Sequence, residues 1–174
     1  LSNLALQLYG WYIKNGHVRD EKDVASIKQF YQQNMPEDAV SYTGFYEKLY
    51  LNQSQAWYGF IMQDMLSYYK HCAKWVDLFD KEPNMIKVEP QQFIKGMHNL
   101  LNAHFMLRND KKFETDLERF TSFCNSKEGE VNINNSVQGF VYLYLAKINQ
   151  HFLQGSFSEG LRLVPEIEEK LKKY

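Results

Sequence analysis

Five histidines, His17, His71, His98, His104 and His151, are the residues best suited to hold a metal or move a proton, and their spacing defines what they can do together. A helical metal site needs ligands on one face, as two His four apart or a Glu followed by His three later. Neither pattern occurs. His98 and His104 are six apart and diverge around a helix. His71 and Cys72 are adjacent and diverge by about 100°. Gly155-Ser156-Phe157-Ser158-Glu159-Gly160 opens like a phosphate loop, but Leu161 stands where a Lys would reach phosphate. Ser156-Phe157-Ser158-Glu159-Gly160 lacks the first Gly of a nucleophile elbow. The acid pairs Glu168-Glu169 and Asp20-Glu21 lie at polar helix ends, where a solvated face explains them better than general acid–base chemistry. The expectation is a protein that is not an enzyme, with no metal and no cofactor.

The elements that carry these residues read as helices. There are no alternating Val/Ile/Thr runs bounded by turn dipeptides. Pro36, Pro83 and Pro90 fall where helical periodicity breaks, and Pro165 alone interrupts a helical pattern. Phe93, Met97, Leu100, Leu101, His104 or Phe105, and Leu107 form one helical stripe over 89–108, and Phe113, Leu117, Phe120 and Phe123 form the next. Val137, Phe140, Val141, Tyr144, Ile148 and Phe152 mark a helix over 134–154, followed by a partner from Phe157 to Lys173. Upstream, 37–62 reads as a long helix that Asn52-Gln53-Ser54 could divide, with Leu66–Phe79 as its partner. Leu4–Lys14 and Glu21–Gln33 make the first pair. Eight helices in four hairpins result. Their turns fall at positions 16, 63, 109 and 155, spaced by 47, 46 and 46 residues, which is the regularity of a repeat array.

The local text repeats too. His104-Phe105-Met106-Leu107 precedes one turn and His151-Phe152-Leu153-Gln154 another, with the pairs Phe113-Leu117 and Phe157-Leu161 after them. The stretch from His151 to Leu161 resembles the inter-helix turn of the tetratricopeptide-repeat family, most recognisably over 144–168. Asn109-Asp110-Lys111-Lys112 reads as a longer turn, Asp116 stands in the place of a small residue that Gly160 keeps, and Tyr68 is large there. The period exceeds the family's roughly 34 residues, a difference that longer first helices explain. The resemblance implies an all-α, right-handed α-solenoid of about four antiparallel hairpins forming a single domain over 1–174.

Composition agrees with wide helix packing: 12 Tyr, 12 Phe and 3 Trp make 16% of the chain aromatic. A net charge of −1 and a pI near 6.6 supply no general attraction for nucleic acid or an anionic membrane, and Lys170, Lys172 and Lys173 complement a helix C-terminus. Cys72 and Cys124 suggest no disulfide framework, and the sequons at Asn52 and Asn134 matter only after secretion. No apolar run reaches the roughly 18 residues of a membrane span, so a soluble, cytoplasmic chain is expected. Because Leu1–Lys14 is shorter than the other first helices and the chain lacks an initial Met, the first helix is expected to continue upstream in a longer protein.

In tetratricopeptide-like arrays the first helix of each hairpin lines a groove. Alignment on the turns then selects Gln53, Trp57, Asn99, Tyr142 and Asn149 as partner-binding candidates, with amides that both donate and accept and rings that anchor. The expected function is a scaffolding module that binds a peptide, a protein or a second copy of itself. The alternative is a regulatory or sensor domain serving an upstream DNA-binding or catalytic domain.

Overall fold

The computed structural model describes residues 1–126 and 132–173, and among them every regular element is helical. The chain divides into two compact units, Leu1–Lys81 and Glu82–Tyr174.

The first unit contains α1 (Ser2–Asn15), α2 (Glu21–Asn34), a 3-10 turn (Ala39–Ser41), α3 (Phe45–Ile61) and α4 (Met65–Lys81). Asp20 starts α2 by accepting a 2.8 Å bond from the Asp23 N–H. The expected helix over 37–62 is shorter at its start. The Glu47 carboxylate reaches back to the N–H groups of Thr43 (3.3 Å) and Gly44 (3.0 Å), capping the helix there, and Ser41 Oγ donates to Asp38 O at 2.7 Å in the 3-10 turn. Asn52-Gln53-Ser54 does not divide α3. Asn52 Nδ2 and Ser54 Oγ each donate at 2.8 Å to the carbonyl four residues back, so these polar side chains are satisfied by the helix itself. Burial also withdraws the Asn52 sequon from the surface. Leu4, Leu8, Val18, Ile27 and Ile61 form one core cluster of this unit, and Leu49, Tyr68, Cys72, Val76 and Phe79 are buried along α3 and α4. The loop after α1 is tied to the end of α3: His17 Nδ1 donates to Phe60 O (2.8 Å), Val18 N to Ile61 O (3.1 Å) and Gln63 Nε2 to Val18 O (2.9 Å).

The second unit contains α5 (Met85–Val88), α6 (Pro90–Met106), α7 (Asp110–Cys124), α8 (Ile133–Gln154), α9 (Phe157–Leu161) and α10 (Leu163–Leu171). Its core includes Phe93, Ile94, Met97, Leu101, Phe113 and Phe120, with α8 packed on both α6 and α7. Pro90 occupies the first turn of α6, where its missing N–H costs nothing. The expected helix from Phe157 to Lys173 is broken at Arg162. Pro165 cannot donate to the Leu161 carbonyl four residues earlier and its ring crowds that oxygen, so the segment becomes α9 and α10. The short α5 had no counterpart in the expected pattern.

Three of the expected turns share one backbone design. Gln63 (φ 59°), Arg108 (φ 51°) and Gly155 (φ 68°) adopt the left-handed conformation. In each, that residue's N–H bonds to a Phe carbonyl three back: Phe60 at 3.1 Å, Phe105 at 3.2 Å and Phe152 at 3.3 Å. The following N–H bonds five back, Asp64 to Gly59 at 2.9 Å, Asn109 to His104 at 2.9 Å and Ser156 to His151 at 3.0 Å. These are the two bonds of a Schellman motif, closing orphan carbonyls of the ending helix. Asp64, Asn109 and Ser156 also begin the next helix. The longer turn expected at Asn109-Asp110-Lys111-Lys112 is therefore corrected: Asp110, Lys111 and Lys112 are already the first turn of α7. The turn at Gly16 differs, with φ 76°, ψ −148° and a 2.7 Å bond from its N–H to Tyr12 O.

Candidate functional site

Polar side chains in the second unit gather where α6 meets α8. His98 and Tyr142 stack almost parallel, with ring centroids 3.8 Å apart and planes 11° apart. Asn102, one turn after His98, places Nδ2 3.1 Å from His98 Nε2. An amide nitrogen only donates, so Nε2 accepts and the ring is held neutral. Burial in this contact lowers the His98 pKa to about 4, because desolvation penalises the imidazolium. One turn before Tyr142, Gln138 Nε2 donates to Tyr142 Oη at 3.3 Å. Its Oε1 is shielded from solvent and accepts no hydrogen bond among the described residues. His98, Asn102, Gln138 and Tyr142 thus form a ladder of two i,i+4 pairs across two helices.

The expected binding residues distribute unevenly. Tyr142 belongs to the ladder. Asn99 neighbours it on α6, with Nδ2 donating to Lys95 O at 2.7 Å, and Asn149 is half-buried on α8 two turns beyond Tyr142. In the first unit, Gln53 is buried within α3, so its amide is not offered to solvent. Trp57 packs on the core of that unit and among rings, with centroids 5.0 Å from Tyr9, 5.7 Å from Tyr12 and 5.9 Å from Phe60. His98, Asn102 and Gln138 were not selected from sequence. Their signal was present as polar pairs four apart on α6 and α8, but only packing shows that the two pairs meet.

The remaining titratable groups serve the frame. His104 Nε2 lies 2.9 Å from Asp116 Oδ2, joining α6 to α7. With Asn109 and Ser156 as equivalent helix starts, Phe113 and not the expected Asp116 takes the place of Gly160, which approaches His151 in the following hairpin. His151 Nδ1 pairs with Ser156 Oγ at 2.8 Å. His151 is therefore bound into its turn, whereas His104 reaches past its turn to the second turn of α7. His71 Nδ1 lies 3.2 Å from Asn52 Oδ1, and burial, followed by Lys74 and Lys70, lowers its pKa to about 4. Tyr144 is fastened at its hydroxyl, which donates to Glu166 Oε1 at 2.5 Å and accepts from Lys170 Nζ at 2.8 Å. Burial raises the Tyr144 pKa, while its hydrogen bond holds Glu166 below the usual carboxylate range. Cys72 and Cys124 are free thiols raised by burial, Cys124 to about 12. Among the described residues no three His, Cys, Asp or Glu side chains converge as a metal site would require, and no helix is long and apolar enough to cross a membrane.

Comparison with protein-family models, curated proteins and solved structures finds no match. The class that can be stated is an all-helical protein, and the function rests on its own geometry.

Proposed function

We propose that this chain is a non-catalytic interaction module that binds a peptide or protein segment along the α6–α8 face, in the manner of a tetratricopeptide-like α-solenoid. The observation that carries the reading is the His98–Asn102–Gln138–Tyr142 ladder. Its rings offer flat anchors, and its amides can donate to and accept from a peptide backbone. A segment supplying a donor to Gln138 Oε1 would satisfy an acceptor already shielded from water, a favourable exchange because the desolvation cost is borne before binding. The common turn design at Gln63, Arg108 and Gly155 supports the repeat reading. With Gln53 buried and Trp57 packed among rings, the recognition surface is assigned to Asn99, Tyr142 and Asn149 with the ladder.

The test is selection of peptide ligands by display on the whole chain, followed by dissociation constants and denaturation midpoints. Asn99→Ala/Asn149→Ala should weaken binding about tenfold, roughly 1.4 kcal/mol, with little change in midpoint. Unchanged affinity with a lowered midpoint would place both amides in internal hydrogen bonding and remove them from the site.

A further inference from the structure

Within the second unit a cavity of about 520 Å³ opens among α6, α7, α8 and the end of α10. Its size falls in the range of small-ligand sites. Its apolar wall is made by Ile94 of α6, Phe123 of α7, and Phe140 and Leu143 of α8. Asn135, Gly139 and Leu143 recur every four residues along α8, so one face of that helix forms a side of the cavity about 12 Å long. Gly139 keeps that side open, because a Cβ there would stand 3.3 Å from Cys124 Sγ.

The polar groups of the cavity favour an anion. Asn135 lies in the first turn of α8, at the positive end of a 22-residue helix. Its backbone N–H is held by Asn132 Oδ1 at 2.8 Å, but its side-chain amide makes no hydrogen bond among the described residues, although Asn135 is only 4% exposed. Buried amides are normally hydrogen-bonded, so an unpartnered one on a cavity wall points to a ligand. Lys170 and Lys173 line the same cavity. The chain after Gly155 runs back along α8, since Gly160 meets His151 while Glu166 and Lys170 meet Tyr144, and Lys173 therefore lies closer than Lys170 to the Asn135 end. Lys170 is already engaged by Tyr144 Oη at 2.8 Å and by Glu166 Oε1 at 3.2 Å, whereas Lys173 has no ion pair among the described residues. No described Asp or Glu lines the cavity, and the Cys124 thiol, raised by burial to about 12, is neutral.

We infer that this cavity binds a small organic carboxylate with an apolar body, its tail against Ile94, Phe123, Phe140 and Leu143 and its carboxylate between the Lys173 ammonium and the Asn135 amide. One unpaired ammonium and one amide N–H match the two oxygens of a monoanion. The inference does not rest on the peptide site, because no residue of the His98–Asn102–Gln138–Tyr142 ladder, nor Asn99 or Asn149, lines the cavity.

Isothermal titration calorimetry of the whole chain with octanoate should show one site, with a dissociation constant on the order of tens of micromolar. Octanol, of the same length without the charge, should bind at least about tenfold more weakly. Lys173→Gln should raise the octanoate dissociation constant about fivefold or more with the unfolding midpoint unchanged. Lys172→Gln, at the adjacent exposed position that does not line the cavity, should leave it unchanged. Asn135→Leu should weaken octanoate binding while keeping or raising the midpoint, because it removes a buried amide that has no partner in the free protein. A lowered midpoint with affinity kept in Asn135→Leu would make that amide structural and overturn the proposal. So would the absence of saturable octanoate binding up to millimolar concentration, equal affinity for octanol, or equal loss with Lys172→Gln and Lys173→Gln.

Discussion

At the scale of single residues, His98 links packing to pH. In the unfolded chain a histidine binds its proton near 6.5, whereas in the stack with Tyr142 it binds one only near 4. Between those values the unfolded state holds more protons, so stability rises with pH. It is present in full above about 6.5 and is lost as pH falls toward 4. His71 is shifted in the same direction and adds to the window. Urea midpoints measured across this range should fall with acidification, and His98→Gln should flatten the profile by about 1–3 kcal/mol between its ends. A profile as steep in His98→Gln as in the parent would show that the ring is not desolvated by α8.

At the scale of elements, two helical glycines give opposite expectations. Gly59 lies where α3 and α4 cross, and a Cβ there would stand 3.0 Å from the Tyr68 backbone nitrogen and 3.3 Å from Ser67 Cβ. Gly10 of α1 would place its Cβ in open space. Ala replaces Gly in a helix with a gain of about 1 kcal/mol when nothing obstructs it, and overpacking costs about 1–3 kcal/mol. Gly10→Ala should therefore raise the denaturation midpoint, and Gly59→Ala should lower it by roughly 1–2 kcal/mol because the obstructing atom is backbone and cannot rotate away. A stabilised Gly59→Ala protein would mean that α3 and α4 are farther apart than described. The same close approach is made at Gly160, where an added Cβ would stand 3.1 Å from His151 Cβ, whereas α6 and α7 meet through the His104–Asp116 pair.

At the scale of the whole molecule, the division at Lys81 implies that each unit carries its own core. In the first unit one cluster joins Leu4 and Leu8 of α1, Val18 of the loop, Ile27 of α2 and Ile61 of α3, and α4 buries Cys72, Val76 and Phe79. Its loop is also bound by two hydrogen bonds to α3 and by one to Gln63 in the turn that follows. Chains of this length can bury enough surface to fold alone. A fragment spanning 1–81 is expected to show helical circular dichroism and a cooperative urea transition. A fragment that is helical but melts without cooperativity would show that this core depends on the rest of the chain.

What the sequence determined by itself was the all-helical class and the places where helices end. Periodicity is a local property, and Gly16, Gln63 and Gly155 stand at the turns because left-handed backbone and polar caps follow short runs of residues. It erred where a local signal had a competitor. Lys111 and Lys112 read as loop, yet the Schellman bonds at Arg108 and Asn109 start α7 before them. The pattern of 37–62 ran through a cap made by a carboxylate reaching back from Glu47. The register of the repeat named Tyr142 and Asn149, but it chose Gln53 and Trp57 by the same rule, and packing placed one in the helix interior and the other among rings. Only tertiary structure could decide this, because exposure depends on which helix lies across a residue. Periodicity specifies a side chain's angle around its own axis and carries no term for its neighbour. His98 illustrates the difference: its position on α6 was legible, whereas its neutral state and its ring partner 44 positions away exist only once α8 has packed against it.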